Sequence, residues 1–311
     1  MQFGFSGLPA KVSGFNIYYM TRAKEYIIEK CLFFSALITV LTTIGILLVL
    51  AIEAVDFFKE VSIIDFFTDS QWTPLFSEKH FGIMSLLAGT LLTTFIAIAV
   101  ALPIGLTIAV YLSEYAPKSF RKTIKPLLEV LAAVPTVVYG FFALMVVTPF
   151  LQNFIPTLSG FNALSAGIVM GIMIIPFVSS LSEDALYAVP KSLREASYGM
   201  GSTRFQTSFK VLIPAASSGI TASVILAISR AIGETMIVAI AAGQIPALTL
   251  NPLEPVQTIT AFIVQVSSGD VPFGSLEHKT IFAAGISLFA LTFILNSISF
   301  WINKKYQQQY E

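Results

Sequence analysis

An arginine and a glutamate lie inside an otherwise apolar stretch of the chain, and they are the residues with the clearest chemical use. Arg230 and Glu234 belong to the run SRAIGETM, residues 229–236, and Arg230 is 16 residues beyond Pro214. That separation is about 24 Å along a helix, so we expect Arg230 near or beyond the middle of a membrane. An arginine there costs about 2.5–3.5 kcal/mol, and its planar guanidinium matches the oxygens of phosphate or carboxylate. This placement predicts an anion-binding step on a pathway through the membrane.

Three neighbours complete this candidate pathway. Glu234 is four residues after Arg230, so on a continuous helix the two side chains would share one face. The carboxylate would then offset the positive charge, and the anion would bind weakly enough to leave. Ser229 and Thr235 add hydroxyl donors. The alternative interpretation is a structural ion pair that fixes helix packing, but ionisable residues inside membranes are more often functional, so we favour the pathway.

A second group of residues is suited to contact with another protein. The run REASYGMG, residues 194–201, is followed after nine further residues by VLIP, residues 211–214. Small residues at Ala196, Ser197 and Gly201 allow another backbone to approach closely, and Glu195 offers a charged acceptor. We expect a short helix that fits a groove of a partner, and an abrupt turn at Pro214 into the next span. An ordinary amphipathic linker helix is the alternative.

Several kinds of site are not expected. The chain has one cysteine, Cys31, so it has no internal disulfide, and with two histidines and no Cys/His cluster it is not expected to bind zinc. It lacks a Gly-x-x-x-x-Gly-Lys-[Ser/Thr] phosphate loop, so we expect no bound cofactor and no ATP hydrolysis by the chain itself. The apolar runs contain no nucleophile–base cluster, which disfavours an enzyme. A formal net charge of zero gives no indication of nucleic-acid binding.

The composition predicts an all-α integral membrane protein. Of 311 residues, 55% are hydrophobic and 12% are charged, whereas soluble domains carry roughly 25% charge. A spanning helix needs about 20 mainly apolar residues. Six stretches qualify, at residues 31–52, 84–112, 127–150, 163–187, 215–242 and 280–302. We expect the first to be a retained helix and not a cleaved signal peptide.

The distribution of basic residues predicts the orientation. Lysine and arginine concentrate in the N-terminal segment, in the loops after the second and fourth spans, and at the C-terminus, whereas the other loops are acidic. Basic loops stay in the cytoplasm, so both termini are expected there, in a bacterial cell (inner) membrane. The expected organisation is a cytoplasmic N-terminal segment at 1–30, a membrane domain at 31–302 with a cytoplasmic loop at 188–214, and a cytoplasmic tail at 303–311.

These motifs resemble those of a known family. The residues Glu195-Ala196-Ser197, then Gly201, then VLIP are similar to the signature loop of bacterial ABC importer permeases, which reads Glu-Ala-Ala, three residues, Gly, nine residues, Ile-x-Leu-Pro. Residues 230–235, RAIGET, resemble the phosphate-specific (Pst) permeases, and the following Met236 resembles their C-type (PstC-type) subunits. Residues 131–140, LAAVPTVVYG, are similar to the Pst pattern around Pro-Ser-Val-Val-Tyr-Gly. The likeness covers roughly residues 70 to 300.

The resemblance implies a six-helix permease of type I ABC importer architecture that carries inorganic phosphate. Its loop would dock on an ATPase through Glu195, Ala196, Ser197 and Gly201, and its pathway would include Ser229, Arg230, Glu234 and Thr235. The implied partners are a homologous A-type (PstA-type) permease, two copies of an ATPase that bind ATP and Mg²⁺, an external phosphate-binding protein and membrane lipid. A permease for molybdate, tungstate or sulfate, a homodimeric pore, and an ATP-independent transporter or channel stay open as alternatives.

Overall fold

The structure is a computed structural model that describes the backbone of residues 13–306. The side chains of residues 13–24, 299 and 302–306 are not described. Parts of the predicted N-terminal segment and of the predicted C-terminal tail, residues 1–12 and 307–311, therefore lie outside the described residues.

Residues 13–306 form α-helices and contain no β-strand, which confirms the all-α prediction. The helices are α1 (Ser13–Glu60), α2 (Ile63–Thr68), α3 (Met84–Val110), α4 (Lys118–Ala132), α5 (Thr136–Phe142), α6 (Thr148–Gln152), α7 (Ala163–Tyr187), α8 (Lys191–Gly199), α9 (Arg204–Thr207), α10 (Ile213–Ala215), α11 (Ser217–Ile232), α12 (Met236–Ala241), α13 (Ile259–Ser267) and α14 (Leu276–Tyr306). Three π-helical segments continue or connect them, at Tyr111–Tyr115, Ala143–Val147 and Ser208–Leu212.

The chain divides into two compact units, of which the first ends at Ile52 and the second begins at Glu53. In the first unit, the described side chains of α1 include many exposed apolar groups between residues 26 and 52, among them Leu32, Phe33 and Ile38. An exposed, continuous apolar surface of this kind is suited to lipid and not to water. The second unit contains the end of α1 and all the other helices.

By length and composition, four single helical stretches could cross a membrane, and the number reaches the predicted six when each of two bent helix pairs is counted as one span. The four single stretches are Glu25–Glu60, Met84–Tyr115, Ala163–Tyr187 and Leu276–Ile298. The two helix pairs are Lys118–Ala132 with Thr136–Gln152, bent by 84°, and Arg204–Ala215 with Ser217–Ile232, bent by 73°.

The predicted bounds of the third and fifth spans are wrong. The third, predicted at 127–150, breaks at residues 133–135, because a residue before proline is disfavoured in helical geometry. The fifth, predicted at 215–242, ends at Ile232, and a new helix begins at Met236. The turn expected at Pro214 is present as the 73° bend between Ala215 and Ser217. Apolar runs thus predicted membrane crossing but not the direction of each segment.

Helix α7 is the centre of the second unit and packs most extensively against α3. Small residues bring the two backbones together, as is common between membrane helices. A Cβ added to Gly171 would lie 2.7 Å from the carbonyl oxygen of Ala97, and one added to Gly167 would lie 2.7 Å from Ile96. Both glycines are therefore required by the close approach of α3 and α7, which positions the elements around the candidate site.

Candidate functional site

Arg230 lies at the C-terminal end of α11 and is exposed on the surface of the chain. It is the fourteenth residue of this helix, about 20 Å along the axis from the helix start at Ser217. Its guanidinium carbon is 5.9 Å from the centroid of the Phe177 ring on α7, within the range of a cation–π contact. No carboxylate in the described part of the chain pairs with it. The guanidinium donors are therefore available to an anion.

Glu234 does not share a helix face with Arg230, contrary to the sequence expectation. Helix α11 ends at Ile232, so the spacing of four residues crosses a helix break. The Glu234 carboxylate instead accepts hydrogen bonds from the backbone N–H groups of Met236 (3.1 Å) and Ile237 (3.3 Å), at the start of α12. A carboxylate at this position satisfies free helical N–H groups and complements the helix dipole.

The break at Glu234 is fixed by a neighbouring helix. Glu234 is buried, with 9% exposure, and its carbonyl oxygen accepts a hydrogen bond of 2.7 Å from the Thr260 hydroxyl on α13. Thr260 had no role in the sequence prediction, and no local pattern indicates it, because it is 26 residues away in the chain. The position of the α11–α12 break thus depends on tertiary contacts.

The two predicted hydroxyl residues have partners of their own. The Ser229 hydroxyl donates to Oδ1 of Asn296 on α14 at 3.0 Å, and the Thr235 hydroxyl donates to the Gly233 carbonyl at 3.3 Å. Ser229 therefore joins α11 to α14, and Thr235 stabilises the break. Their hydroxyl oxygens still have lone pairs, but their protons are engaged in these bonds.

Two of the sequence motifs meet beside this break. Residues 131–140 end at Gly140 on α5, where an added Cβ would lie 3.1 Å from the Met236 carbonyl oxygen. The Tyr139 hydroxyl donates to the Leu131 carbonyl at 2.9 Å, across the 84° bend. The glycine is needed because α5 and α12 approach closely. The bend in the third span and the break after α11 are therefore parts of one packed region.

The predicted coupling loop contains a short helix with an exposed acidic residue. Glu195 and Ala196 are exposed on α8, whereas the Ser197 hydroxyl is buried and lies 2.9 Å from the Thr207 hydroxyl. Gly201 has a φ of +82° and ends α8 with paired bonds, Gly201 N–H to Tyr198 C=O and Ser202 N–H to Ser197 C=O. Gly201 is thus required by left-handed backbone geometry in a Schellman motif, which the small-residue argument from sequence did not specify.

Helix α8 is joined to the membrane helices by Arg194. Its guanidinium donates to the Leu186 carbonyl at 2.7 Å and pairs with Glu114 at 3.1 Å. The side chains of Arg194 and Glu114 are 16% and 6% exposed, so the pair is shielded from water and its geometry is restricted. The sequence prediction gave neither residue a structural role.

A second buried ion-pair cluster joins α4 to α7. Glu183, with a side chain 1% exposed, pairs with Arg121 and, at 3.0 Å, with Lys125. Lys125 also pairs with Asp184 at 2.5 Å. The sequence signal for this cluster was present, since Glu183 is a carboxylate near the end of the apolar run 163–187. Among the described side chains, no group of three or more His, Cys, Asp or Glu residues is placed to hold a metal ion.

The sequence matches one family over residues 101–308, the family described as "Binding-protein-dependent transport system inner membrane component". A similar protein is the "Probable ABC transporter permease protein YqgH" of Bacillus subtilis, 34% identical over 261 residues, covering 83% of this chain and 84% of that protein. Another is the "Phosphate transport system permease protein PstC" of Mesorhizobium japonicum, 35% identical over 253 residues, covering 75% of this chain and 76% of that protein.

Solved structures share the fold. A chain of a bacterial alginate ABC transporter, in complex with an alginate-bound periplasmic protein, has a TM-score of 0.62 at 15% identity and covers 93% of this chain and 99% of that one. A chain of the inward-facing MetNI methionine ABC transporter has a TM-score of 0.55 at 18% identity, and the match covers 73% of this chain and 95% of that chain. The predicted type I ABC importer architecture is therefore confirmed.

Proposed function

This chain belongs to the inner membrane components of binding-protein-dependent transport systems and, among them, to the PstC-type ABC permeases, and from that premise we propose that it forms one half of a pore through which inorganic phosphate enters a bacterial cell. It is a multi-pass membrane permease subunit and not the ATPase. The choice of phosphate is supported by the relatives named as phosphate permeases and by the chemistry of Arg230.

The observation that carries the proposal is the exposed guanidinium of Arg230 at the end of α11. It has no carboxylate partner in the described part of the chain, and its planar donors can bind two phosphate oxygens. Phe177 holds one side of it by a cation–π contact. In this proposal Glu234 acts differently from the sequence expectation: it fixes the helix break beside Arg230 and does not neutralise the arginine.

The exposed surface around α8 would dock on the ATPase. Tyr198, Met200 and Phe205 add exposed apolar side chains that suit the centre of an interface, and Glu195 offers a carboxylate that suits its polar rim. Ala196 and Gly201 would permit close approach, and Ser197 would hold α8 to the Thr207 segment. The basic loops, and with them both termini, would face the cytoplasm.

The proposed assembly contains this chain, a homologous PstA-type permease, two ATPase copies and an external phosphate-binding protein. ATP and Mg²⁺ would bind only to the ATPase subunits. The exposed Arg230 surface supports a paired permease, because an unpaired cation facing hydrocarbon would be costly, whereas one facing a polar pathway between two permeases would not.

The test is phosphate uptake by the reconstituted transporter with Arg230→Gln. Losing one hydrogen bond to a charged group is worth about 1.5–3 kcal/mol, so uptake at subsaturating phosphate should fall about 10- to 100-fold. Arg230→Lys, which keeps the charge but loses the planar fork, should retain intermediate uptake. Co-purification of all subunits and the rate of basal ATP hydrolysis show whether the transporter with each variant still assembles.

Lys59→Gln is the matched control, because it also removes one positive charge, from a lysine whose side chain is 69% exposed and far along the chain from α11. It should transport normally. Undiminished uptake by Arg230→Gln would refute the role of the arginine. Competition by molybdate or sulfate, with none by unlabelled phosphate, would refute phosphate as the substrate.

A further inference from the structure

Helix α4 is amphipathic, and exposed side chains lie on both its basic and its apolar face. None of its 15 residues is buried. Its basic residues recur at spacings of three and four and so share one face: Lys118, Arg121, Lys122 and Lys125. The apolar residues of the opposite side are exposed: Phe120 (42%), Leu127 (54%), Val130 (64%) and Leu131 (49%). A basic face opposite an apolar face is typical of helices that lie in the membrane interface.

The bend in the third span gives α4 the direction that such a helix needs. The Lys118–Ala132 segment turns by 84° from Thr136–Gln152. When Thr136–Gln152 crosses the membrane along its normal, α4 runs nearly parallel to the membrane surface and is not itself part of the crossing. The contact of α4 with the end of α7, through Glu183 and Asp184, places it at the end of the bundle where the basic loops lie.

The basic face of α4 forms one wall of a cleft of about 650 Å³. The other walls come from the segment that follows α3 and from Tyr187 at the end of α7. The Arg121 guanidinium carbon lies 4.2 Å from the Tyr187 ring centroid, and Arg121 and Lys125 are both paired with Glu183. These contacts hold the inner part of the cleft in one arrangement.

The outer part of the cleft has unpaired positive charge. Lys118 and Lys122 line it and are exposed, and neither forms an ion pair within the described part of the chain. Glu129 is the acidic residue on the cleft wall, while Glu183 and Asp184 are engaged by Arg121 and Lys125. Lys118 and Lys122 therefore add two exposed, unpaired ammonium groups to the lining of the cleft.

We propose that this cleft binds the phosphate group of an anionic phospholipid in the leaflet where α4 lies. The exposed apolar side of α4 would contact acyl chains, which brings Lys118 and Lys122 to the height of the headgroups. Lysine side chains reach from such a helix to the headgroup level through their apolar stems. Free inorganic phosphate has the same anionic chemistry, but it would not require an apolar face beside the basic one.

The test measures lipid binding to the complete transporter, purified with its partner subunits in a neutral detergent. Phosphatidylglycerol and phosphatidylcholine are titrated separately, and bound lipid is counted by native mass spectrometry. A lysine near an anionic surface contributes about fivefold to affinity, so Lys118→Gln with Lys122→Gln should weaken phosphatidylglycerol binding about 30-fold. The charge-keeping double variant, Lys118→Arg with Lys122→Arg, should bind phosphatidylglycerol with an affinity within a few-fold of that of the unchanged protein.

Arg204→Gln with Lys210→Gln is the matched control, because both residues are exposed basic side chains outside the cleft. This variant should bind phosphatidylglycerol normally. Equal binding of phosphatidylcholine, or full phosphatidylglycerol binding after the two Lys→Gln changes, would overturn the proposal. Displacement of phosphatidylglycerol by millimolar inorganic phosphate, lost in the same variant, would identify a free-phosphate site and would also overturn it. None of these readouts depends on which anion the pore carries.

Discussion

Replacing Glu183 by glutamine should destabilise the attachment of α4 to α7. The side chain keeps its shape but loses the charge that faces two cations, Arg121 and Lys125. Removing one partner of a buried ion pair costs about 3–5 kcal/mol. The Glu183 side chain is 1% exposed, but those of Arg121 and Lys125 are 26% exposed. Water can therefore solvate the released cations in part, and we expect a loss of about 2–3 kcal/mol.

The adjacent Asp184 provides a matched control on the same helix. Its side chain is 55% exposed and pairs with Lys125 alone at 2.5 Å. Exposed ion pairs contribute about 0.2–1 kcal/mol, so Asp184→Asn should cost less than about 1 kcal/mol. Both variants remove one carboxylate charge beside Lys125, and they differ mainly in burial and in the pairing with Arg121.

The assay is thermal unfolding of the purified transporter, followed by the loss of the native fold of this subunit. For a chain of this size about 1 kcal/mol corresponds to about 2 °C in Tm. Glu183→Gln should therefore lower Tm by about 4–6 °C and Asp184→Asn by less than about 2 °C. Equal shifts in the two variants, or no shift in Glu183→Gln, would show that the Glu183 carboxylate is not held between two cations.

Two further predictions concern docking and packing. Glu195→Lys should abolish ATP-driven phosphate uptake while leaving the amount of membrane-inserted subunit unchanged, because it inverts the exposed charge of the proposed docking helix; uptake equal to that of the unchanged protein would count against docking through α8. Gly89→Ala should lower Tm, since its Cβ would lie 2.3 Å from the Gln257 carbonyl oxygen, and overpacking costs about 1–3 kcal/mol. Gly160→Ala, with no atom within 4 Å of the added Cβ, should leave Tm nearly unchanged.

The existence of six spans was predictable because hydrocarbon requires long apolar helices. The fourth was predicted at the bounds that the structure gives, Ala163–Tyr187. The breaks were not predictable from hydropathy, which is the same for a straight and a bent segment. Pro135 marked one of them, but a proline does not specify an 84° bend. The other, before Met236, depends on the contact of Thr260 with the Glu234 carbonyl.

At the candidate site, too, the sequence indicated some features and could not indicate others. The residue types of Arg230 and Glu234 directed the prediction to residues 229–235, but the spacing of four residues suggested a pairing that the helix break prevents. A helix-start signal was present in the sequence, since Glu and Thr before an apolar run are typical of helix N-termini. The ion pairs of Glu183 and Arg194 could not be assigned, because their partners are brought near by the packing of α4 and α8.

Arg230 differs from three other described cations of the membrane domain in both burial and pairing. The side chains of Arg121, Lys125 and Arg194 are only 16–26% exposed, and each has a carboxylate partner, as charge in a region of lowered dielectric requires. Arg230 is exposed and has no such partner, which is stable only where water or an anion can reach it. Because it lies about 20 Å along α11, lipid on that surface would cost about 2.5–3.5 kcal/mol. The surface of α11 that carries Arg230 should therefore face a polar pathway and not the acyl chains.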